Sequence, residues 1–320
     1  MTMGRILVTG AGGRVGSVLI PKLVEAGYEV LALTSKPKTS GTHAVFYIEV
    51  DWNDLRLPLL PEVDCVIHLA HQTSAYQARK NVLLDNQCNL VATIRLLEHL
   101  KAQTSIPKFI FMGSLTEYGS IVKNPISEFS QLRPETFYDV AKITTEVYLQ
   151  QYFNEGWITQ LVTLRLGNLY GLGSQHSVAH RGFFDNSISR GAAGESIVCF
   201  GDGEFIRDFI HVEDVLDALL SVVSLPVDRR NIALNIAAGV GTSVRSALEL
   251  INTVLVSQNR QPTKIEYVDF PPGAYEIEKR SHVADIHLAH SILSWVPRIS
   301  LFEGVEKGLK ENFVGEEIRG

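Results

Sequence analysis

The chain has 320 residues, of which 45% are hydrophobic and 20% charged, and its formal net charge is -6. These values are ordinary for a globular protein with a substantial core, and the acidic balance argues against nucleic acid as a partner, because phosphate backbones are normally bound by basic surfaces. No apolar run approaches the roughly 18 residues of a membrane span, so we expect no contact with a membrane.

The three cysteines, Cys65, Cys88 and Cys199, lie far apart in the sequence. They form neither a metal-ligand spacing such as Cys-x-x-Cys nor the framework of a disulfide-rich domain. The sequence therefore predicts no metal site and a reducing compartment. Because the N-terminus runs directly into an apolar strand, we expect no signal peptide and a cytoplasmic location.

Short apolar runs alternate with amphipathic segments in the first half of the chain. The pattern predicts, in order, a strand at 5–10, a helix at 16–27, strands at 29–35, 44–51 and 63–70, a helix at 86–103, a strand at 108–114, a helix at 133–153 and a strand at 158–171. Continuous apolar strands separated by helices are typical of a parallel sheet that is covered on both faces. We therefore predict an α/β fold with a doubly wound parallel sheet, as in the Rossmann fold.

The alternation stops after Gly171, where a glycine-rich stretch runs to residue 209. A helix at 211–225, a strand at 232–237 and a helix at 243–259 follow. We predict an NAD(P)-binding Rossmann domain over residues 1–171 and a smaller, mixed α/β substrate lobe over 172–320. The chain near 208–236 is expected to return to the first domain.

The stretch LVTGAGGRVGS places Gly10, Gly13 and Gly16 between the first strand and the first helix. Glycines let the backbone turn tightly and approach a ligand closely, while the helix N-terminus offers N–H groups and a positive dipole to a pyrophosphate. This spacing and its position predict dinucleotide binding rather than a glycine-rich turn without a ligand.

The end of the second strand bears on which dinucleotide binds. An NAD site usually has a carboxylate there for the ribose hydroxyls, but this strand ends in Thr34, Ser35 and Lys36. Their hydroxyls and positive charge suit a 2′-phosphate, and Arg14 of the glycine loop could add to them. The sequence therefore favours NADP, with NAD still possible. The alternative is that Lys36 is only a solvated charge in a loop.

Tyr138 and Lys142 lie four residues apart on the helix predicted at 133–153, so their side chains share one face. Such a pair also occurs in ordinary helices. Here, however, Ser114 ends the preceding strand, where ligands bind in this architecture. A serine followed by Tyr-x-x-x-Lys on the next helix, downstream of a glycine loop, predicts a catalytic site.

With these pieces, the chain resembles the extended branch of the short-chain dehydrogenase/reductase superfamily, the NAD(P)-dependent nucleotide-sugar epimerases, dehydratases and ketoreductases. The resemblance covers nearly the whole chain. Its motifs are TGAGGRVGS, VIHLA, NLVATIRLLE, GSLTEYG, YDVAK, RLGNLYG, GDGEFIRDFIHVEDV, LNIAAGVGTSV and SWVPRISLFEGV. Two departures stand out: Ala92 replaces a family glycine, and the family's R-x-G-D segment is absent, with Arg280 as a candidate substitute.

The resemblance implies the residues that would hold the cofactor. They are Gly10, Gly13, Arg14, Val15, Gly16, Thr34, Ser35, Lys36, Asp51, Leu69, Ala70, His71, Asn89, Tyr138 and Lys142. We expect His68 to pack beside the cofactor loop rather than act as a base. The segments 86–100 and 139–153 resemble the helix pair of the family's dimer interface, so we expect a homodimer.

Substrate contacts are expected from Thr116, Asn168 and Arg207, with the last two on the diphosphate of a nucleotide, because the forked guanidinium suits phosphate. Structural roles stay open for both: Asn168 could cap a turn, and Arg207 could pair with Asp208.

The chemistry fits the three predicted catalytic residues. Hydride transfer to a ketone leaves an alkoxide that needs a proton, and a tyrosine with a pKa near 10 is a poor acid–base group unless its anion is stabilised. Lys142 supplies a positive charge that lowers that pKa. Ser114 polarises the carbonyl by donating a hydrogen bond.

The residues after Ser114 separate the possible reactions. Family dehydratases carry an acid just after the catalytic serine or threonine, whereas this chain has Leu115 and Thr116, and Glu117 comes one position too late. We therefore do not expect a dehydratase. The missing carboxylate at Thr34, which favours NADP, points to reduction of the 4-keto group of a nucleotide-linked deoxysugar. The alternatives are an NAD-dependent 4-epimerase and an NADP-binding redox sensor without catalysis; retention of all three catalytic residues argues against the sensor.

Overall fold

The computed structural model describes residues 3–35, 43–51, 57–171 and 182–317. Lys36, one of the predicted cofactor residues, lies outside them. The strands of the described chain are β1 (Arg5–Thr9), β2 (Glu29–Thr34), β3 (Val45–Glu49), β4 (Cys65–His68), β5 (Lys108–Ser114), β6 (Gln160–Leu166), β7 (Asn168–Tyr170), β8 (Ile197–Phe200), β9 (Ile206–His211), β10 (Asn231–Ile236), β11 (Gly241–Ser243) and β12 (Ile265–Val268).

Helices connect most of these strands. They are α1 (Arg14–Glu25), α2 (Ala75–Lys80), α3 (Val82–Asn86), α4 (Ala92–Lys101), α5 (Phe137–Asn154), α6 (Phe183–Ala192), α7 (Val212–Ser224), α8 (Val244–Ser257), α9 (His287–Leu293) and α10 (Leu301–Glu317). A π-helical turn over Gln87–Val91 joins α3 to α4, and 3₁₀ turns occupy Leu115–Tyr118 and Glu276–Lys279. In the described residues, no helix is long and apolar enough to span a bilayer.

Seven strands form the main sheet in the order β10-β6-β5-β4-β1-β2-β3. Strands β3, β2, β1, β4 and β5 pair in parallel, so their carboxyl ends lie along one edge. The strand order reverses between β1 and β4, and ligands of doubly wound sheets bind at that switch point. The predicted doubly wound α/β fold is confirmed.

The apolar runs that predicted the strands form the core. Leu7, Leu31, Val66 and Phe109 belong to one buried cluster, together with side chains of α4 and α5. Lys108, at the start of β5, is also buried, and its ammonium donates to the carbonyl oxygens of residues 222, 223 and 225 at the end of α7. A lysine at this position satisfies carbonyls that a helix C-terminus leaves without partners.

Contacts divide the chain into two compact units. The first contains Met1–Gly119, Gln131–Arg165 and Leu219–Leu234, and the second contains Ser120–Ser130, Leu166–Ala218 and Asn235–Gly320. The sequence placed the boundary at 171/172 and the returning segment at 208–236. In the contact division the change comes at 165/166, and the returning piece is shorter.

The second unit has its own core. Phe184 and Ile188 of α6, Ile251 of α8 and Leu309 of α10 belong to one buried cluster. Its strands form a three-stranded sheet in the order β11-β9-β7 and a two-stranded sheet, β12-β8.

Several predicted elements differ from the structure. The helix expected at 86–103 contains a π-helical turn over Gln87–Val91, and the helix expected at 133–153 begins at Phe137. The single strand expected at 158–171 is broken at Gly167, whose N–H donates to the carbonyl of Ile236, and the chain then continues as β7 in a different sheet. A side chain at Gly167 would approach the carbonyl oxygen of Asp208 to 2.9 Å. The glycine-rich stretch after Gly171, which showed no pattern, contains α6, β8 and β9.

Candidate active site

The glycine loop at the end of β1 is shaped by close backbone approaches. Gly10 has a φ of +66°, and a Cβ there would lie 2.8 Å from the backbone nitrogen of Ala70. A Cβ on Gly16 would collide with the carbonyl oxygen of Gly10. The loop therefore excludes side chains at both positions and brings the ends of β1 and β4 together.

The first turn of α1 fits the predicted pyrophosphate. Its N-cap is Gly13, which has no side chain to accept a hydrogen bond from the helix. Because the first N–H groups of a helix have no intrahelical partner, the backbone of Arg14, Val15 and Gly16 suits an anion there. This turn lies at the switch point of the sheet, as the sequence predicted for the cofactor loop.

His68 ends β4 and is held in one neutral tautomer. Thr93 donates its hydroxyl proton to the carbonyl of Asn89 at 2.5 Å, so its oxygen, 2.8 Å away, accepts from Nε2 of His68. Nδ1 is then an acceptor, 2.8 Å from the hydroxyl of Thr9. Burial, with a smaller effect of Lys142, lowers the pKa of His68 to about 3. The geometry agrees with the expectation that His68 packs here and is not a base.

The same hydroxyl of Thr9 accepts from the backbone N–H groups of Leu69 and Ala70, at 3.1 and 3.0 Å. Asn89 is fully buried; its amide oxygen accepts from the N–H of Gln72 and its NH₂ donates to Asp85. Leu69, Ala70 and Asn89, predicted to bind the cofactor, thus shape the loop after β4. Their contact with a cofactor stays a prediction.

His71, in that loop, has an unsatisfied acceptor. Its Nδ1 lies 3.0 Å from the carbonyl oxygen of Gln72 and must carry the proton, while its buried Nε2 has no hydrogen-bond partner among the described residues. Burial, then the charge of Lys142, lowers the pKa of His71 well below its ordinary value. Its ring lies edge-on to Tyr138, 6.0 Å between centroids. Nε2 can therefore accept from an amide or hydroxyl of a bound cofactor.

The end of β2 carries the predicted residues for the adenosine ribose. Thr34 is buried, and its hydroxyl would lie 2.7 Å from a Cβ on Gly12, so it borders the glycine loop. Ser35 is exposed. On the neighbouring strand β3, Glu49 is in register with Thr34, and Asp51 follows two residues later.

The side chain of Ser114, the last residue of β5, is held by a hydrogen bond with Thr116. Thr116 donates its hydroxyl proton to Asp139 at 2.7 Å, so the oxygen of Thr116, 2.9 Å from Oγ of Ser114, is available as an acceptor. Asp139 also closes a capping box with Thr136 at the start of α5. Thr116 thus links Ser114 to α5, and its predicted contact with substrate stays a prediction.

Lys142 is buried one turn after Tyr138 on α5. Its ammonium donates to the carbonyl of Met112 at 2.5 Å, on the same strand as Ser114, and lies 5.9 Å from the centroid of the Tyr138 ring. Burial lowers the pKa of Lys142, and the charge of Glu117 opposes that change. Ser114, Tyr138 and Lys142, predicted as catalytic, therefore come together at the carboxyl end of β5.

A buried ion cluster below this strand end was not predicted. Arg165 on β6 donates to Glu146 of α5 at 2.7 Å and to the hydroxyl of Tyr118 at 2.9 Å. Its Nε lies 3.6 Å from Glu117, which accepts from the backbone N–H of Ser114 at 2.6 Å. Glu117 is therefore turned onto the protein itself. The pattern Ser-x-x-Glu at 114–117 was the sequence signal for this capping contact.

The second unit contains the predicted substrate residues Asn168 and Arg207. They lie on the neighbouring strands β7 and β9 of the three-stranded sheet, and the parallel register of Asn168 with Phe209 puts both side chains on one face. Asp208 accepts from the backbone N–H groups of Ala238 and Ala284 at 2.8 and 3.0 Å and does not pair with Arg207.

The guanidinium of Arg207 donates to three backbone carbonyls, those of Ile206, Glu278 and Arg280. Burial, followed by the positive charge of Arg280, lowers the pKa of Arg207 to about 9, while Glu278 acts in the opposite direction. Two cations are therefore close together in the second unit. An anionic ligand would relieve their repulsion.

Within the described residues, no cluster of three or more His, Cys, Asp and Glu side chains could hold a metal ion. The first unit instead has a hydroxyl donor, a tyrosine and a buried ammonium beside a glycine loop. This set can bind a dinucleotide, polarise a carbonyl and move a proton.

Comparison with known proteins agrees with this geometry. A putative UDP-glucose 4-epimerase of Methanocaldococcus jannaschii is 29% identical over 309 residues, which cover 94% of this chain and 96% of the relative. The GDP-6-deoxy-D-mannose reductase of Pseudomonas aeruginosa is 28% identical over 312 residues, covering 96% of each chain. Both proteins match this chain along nearly its whole length.

The structure of MoeE5 in complex with UDP-glucuronic acid and NAD superposes with a TM-score of 0.83 at 28% identity, covering 98% of this chain and 100% of MoeE5. A sequence model of the NAD dependent epimerase/dehydratase family matches residues 6–237. The resemblance drawn from the motifs is confirmed: this chain is an enzyme that belongs to the NAD dependent epimerase/dehydratase family, of the extended short-chain dehydrogenase/reductase type.

Proposed function

We propose that this protein is an NADP-dependent reductase that reduces the 4-keto group of a nucleotide-linked deoxysugar, with Tyr138 as the proton donor. The observation that carries the proposal is the assembly of Ser114, Tyr138 and Lys142 at the end of β5, beside a strand β2 that ends without a carboxylate. When bound, the nicotinamide would supply the hydride.

The chain's own residues provide the remaining chemistry. On substrate binding, the hydroxyl of Ser114 turns from Thr116 to the substrate carbonyl oxygen, donates its proton there and stabilises the charge that develops. Tyr138 gives its proton to that oxygen, and the buried ammonium of Lys142 stabilises the phenolate that remains. The contact of Lys142 with the carbonyl of Met112 fixes the ammonium relative to the strand that ends in Ser114.

The cofactor is held at the switch point of the sheet. The first turn of α1 takes the pyrophosphate, and Nε2 of His71 accepts a hydrogen bond from an amide or hydroxyl of the nicotinamide riboside. Thr34 and Ser35 favour a 2′-phosphate because neither carries a negative charge. NAD has support of its own: Glu49 is in register with Thr34, and the similar structure of MoeE5 contains NAD.

The substrate class rests on the second unit and on the relatives. Arg207 and Arg280 raise the local positive charge, as a diphosphate would require, and Asn168 lies on the same face of the three-stranded sheet as Arg207. The relatives named above include a GDP-sugar reductase and a UDP-sugar epimerase. A diphosphate-linked sugar is the ligand that these observations have in common.

The test is oxidation of NADPH, and separately of NADH, with a panel of 4-keto-6-deoxy nucleotide sugars, followed by loss of the reduced-nicotinamide absorbance. We expect turnover with NADPH and one sugar. Tyr138→Phe should lower kcat by about 10²- to 10⁴-fold, the usual contribution of a general acid, and leave cofactor affinity unchanged. If Tyr138→Phe retains full turnover, the assignment of the proton donor is wrong.

A 4-epimerase is the second candidate, favoured by the UDP-glucose 4-epimerase among the relatives and by Glu49 beside Thr34. An epimerase recycles its cofactor within one turnover. It would interconvert two C4-epimeric nucleotide sugars without net consumption of reduced nicotinamide. A redox sensor without catalysis would bind NADP and do neither, whatever residue stands at position 138.

We further propose a homodimer. Exposed apolar side chains, among them Val91, Val140, Val147 and Tyr148, lie on the segments 86–100 and 139–153 that resemble the family's dimer helices. Sedimentation at micromolar concentration tests this, because Val147→Glu should yield a monomer if the helices pair. A cytoplasmic location also stays a prediction.

A further inference from the structure

Four charged side chains are buried together below the catalytic end of β5. Glu117, Glu146, Arg165 and Lys142 are each no more than 4% exposed. They come from the 3₁₀ turn after β5, from α5 and from β6. The charges of the two acids and the two bases cancel only when Lys142 is protonated. This is the state that the proposed catalysis requires.

Glu117 is the acid with contacts to the catalytic residues. One carboxylate oxygen accepts from the backbone N–H of Ser114 at 2.6 Å, and a Cβ on Gly113 would approach that oxygen to 3.0 Å. The other oxygen has no hydrogen-bond partner among the described residues and lies 3.6 Å from Nε of Arg165. Glu117 is thus held in one place by Ser114, while part of its charge remains without a hydrogen bond.

Glu146 is a matched acid without those contacts. It is buried on the same arginine, 2.7 Å from Nη2 of Arg165. The pKa of Lys142, lowered by burial, is raised by Glu117. Glu146 lies one turn after Lys142 on α5, and its carboxylate is bound to Arg165. The two acids therefore share burial and a partner but differ in their contacts with the catalytic residues.

We propose that Glu117 is a positioning residue of the active site, which keeps Lys142 protonated and fixes the backbone of Ser114. This inference rests on the proposed catalytic role of Ser114, Tyr138 and Lys142, and it goes beyond that role by naming the internal counter-charge. Glu117 touches neither cofactor nor substrate and acts through Lys142 and Ser114.

The charges that bear on this pair come from every element packed around it. The titratable and charged groups facing Lys142 are Glu117, His68, His71 and Tyr138, and those facing Glu117 are Glu146, Arg165 and Lys142. Burial holds both histidines neutral at pH 7. Among these groups, Glu117 is the anion that supports the charge of Lys142.

The test is the titration of Lys142 in protein labelled with ¹³C at the lysine ε-carbon, with the signal assigned by its loss in Lys142→Met. Glu117→Gln keeps an acceptor for the N–H of Ser114 but removes the charge. We expect the Lys142 midpoint to fall by about one pH unit or more, a tenfold loss of proton affinity. Glu146→Gln should move it by less than a third as much.

Kinetics give a second readout. For the reaction that the protein catalyses, the alkaline limb of kcat should move to lower pH in Glu117→Gln with KM unchanged, and stay in place in Glu146→Gln. An unchanged Lys142 midpoint in Glu117→Gln, or equal shifts in both variants, would overturn the inference. A shifted midpoint in a protein that reduces none of the sugars would support the inference while the proposed reaction fails.

Wild-type protein provides the measurement if Glu117→Gln does not fold. Burial, then repulsion by Glu146, raises the pKa of Glu117 above its ordinary value. Protonation of Glu117, at a pH well above the ordinary range of a glutamate, should therefore appear as a second inflection in the Lys142 signal. A single inflection would overturn the coupling.

Discussion

Two buried arginines, one in each unit, differ in what surrounds them. Arg165 lies between the carboxylates of Glu146 and Glu117, and although burial opposes its charge, these anions and Tyr118 raise its pKa above the ordinary value. Arg207 is equally buried, but it donates to backbone carbonyls and lies beside a second cation, and its pKa is lowered to about 9.

The contrast separates a structural arginine from a ligand-binding one. Charge that the protein neutralises internally holds elements together, as Arg165 joins β6 to α5. Charge that remains uncompensated raises the energy of the unliganded protein and is stabilised when an anion binds. Arg165 should therefore matter mainly for stability, and Arg207 mainly for affinity.

The largest expected effect is on unfolding. Arg165→Met leaves two buried carboxylates without their partner and should cost about 3 to 5 kcal/mol of unfolding free energy. Arg207→Met also removes a cation beside Arg280, so it should cost less than half of that. Urea unfolding of both variants at pH 7 measures the difference. Equal losses would remove the distinction between the two arginines.

The second effect is on substrate binding. Arg207→Met should raise KM for the nucleotide sugar roughly 10- to 100-fold, as expected when a charge-assisted hydrogen bond to phosphate is lost, with little change in kcat. Arg190→Met, at an exposed arginine that pairs with Glu195 at 3.3 Å, is the control and should leave KM unchanged. A normal KM in Arg207→Met would remove this residue from the diphosphate site.

Two buried histidines extend the contrast to acid stability. Burial lowers the pKa of His211 to about 4, below its ordinary value of 6.5, so the folded state stays neutral where the unfolded state binds a proton. The stability that this provides is complete above pH 6.5 and is lost as the pH falls toward 4, by about 1.4 kcal/mol per pH unit. His68 behaves in the same way, with a pKa of about 3.

Urea unfolding at pH 7, 6 and 5 measures this slope. His211→Asn should reduce the loss of unfolding free energy between pH 6 and 5 by roughly the contribution of one proton. His290→Asn, at an exposed histidine, is the control and should leave the slope as in the wild type. An unchanged slope in His211→Asn would place the acid sensitivity elsewhere.

The first half of the fold could be predicted because apolar runs and turns repeat there at regular intervals. Strand β5 was predicted at its observed limits, residues 108–114, since its centre, Phe109–Met112, is a continuous apolar run. The break at Gly167 could not be predicted, because it depends on the backbone of Ile236 and Asp208, distant in sequence. Helix α6 was missed because glycine and polar residues obscure its period.

In the candidate site, too, the features signalled by local spacing were predicted, and the contacts between distant residues were not. The glycine loop and the set Ser114, Tyr138 and Lys142 follow from local spacing, and their elements bring them together. The ion cluster around Arg165 joins residues from three elements, and local spacing signals only the capping contact of Glu117 with Ser114. The hydrogen bond from Thr116 to Asp139 was likewise not predicted, because it joins side chains that are 23 residues apart in the sequence.

The glycine loop has one more consequence. At Gly10 and Gly16 the loop lies close against the protein's own backbone. The glycine loop is therefore already ordered before a ligand binds. The entropy cost of ordering it is part of folding and does not reduce the affinity for the ligand. A dinucleotide should then meet a preorganised surface and bind in a single kinetic phase, without a slow rearrangement of the loop.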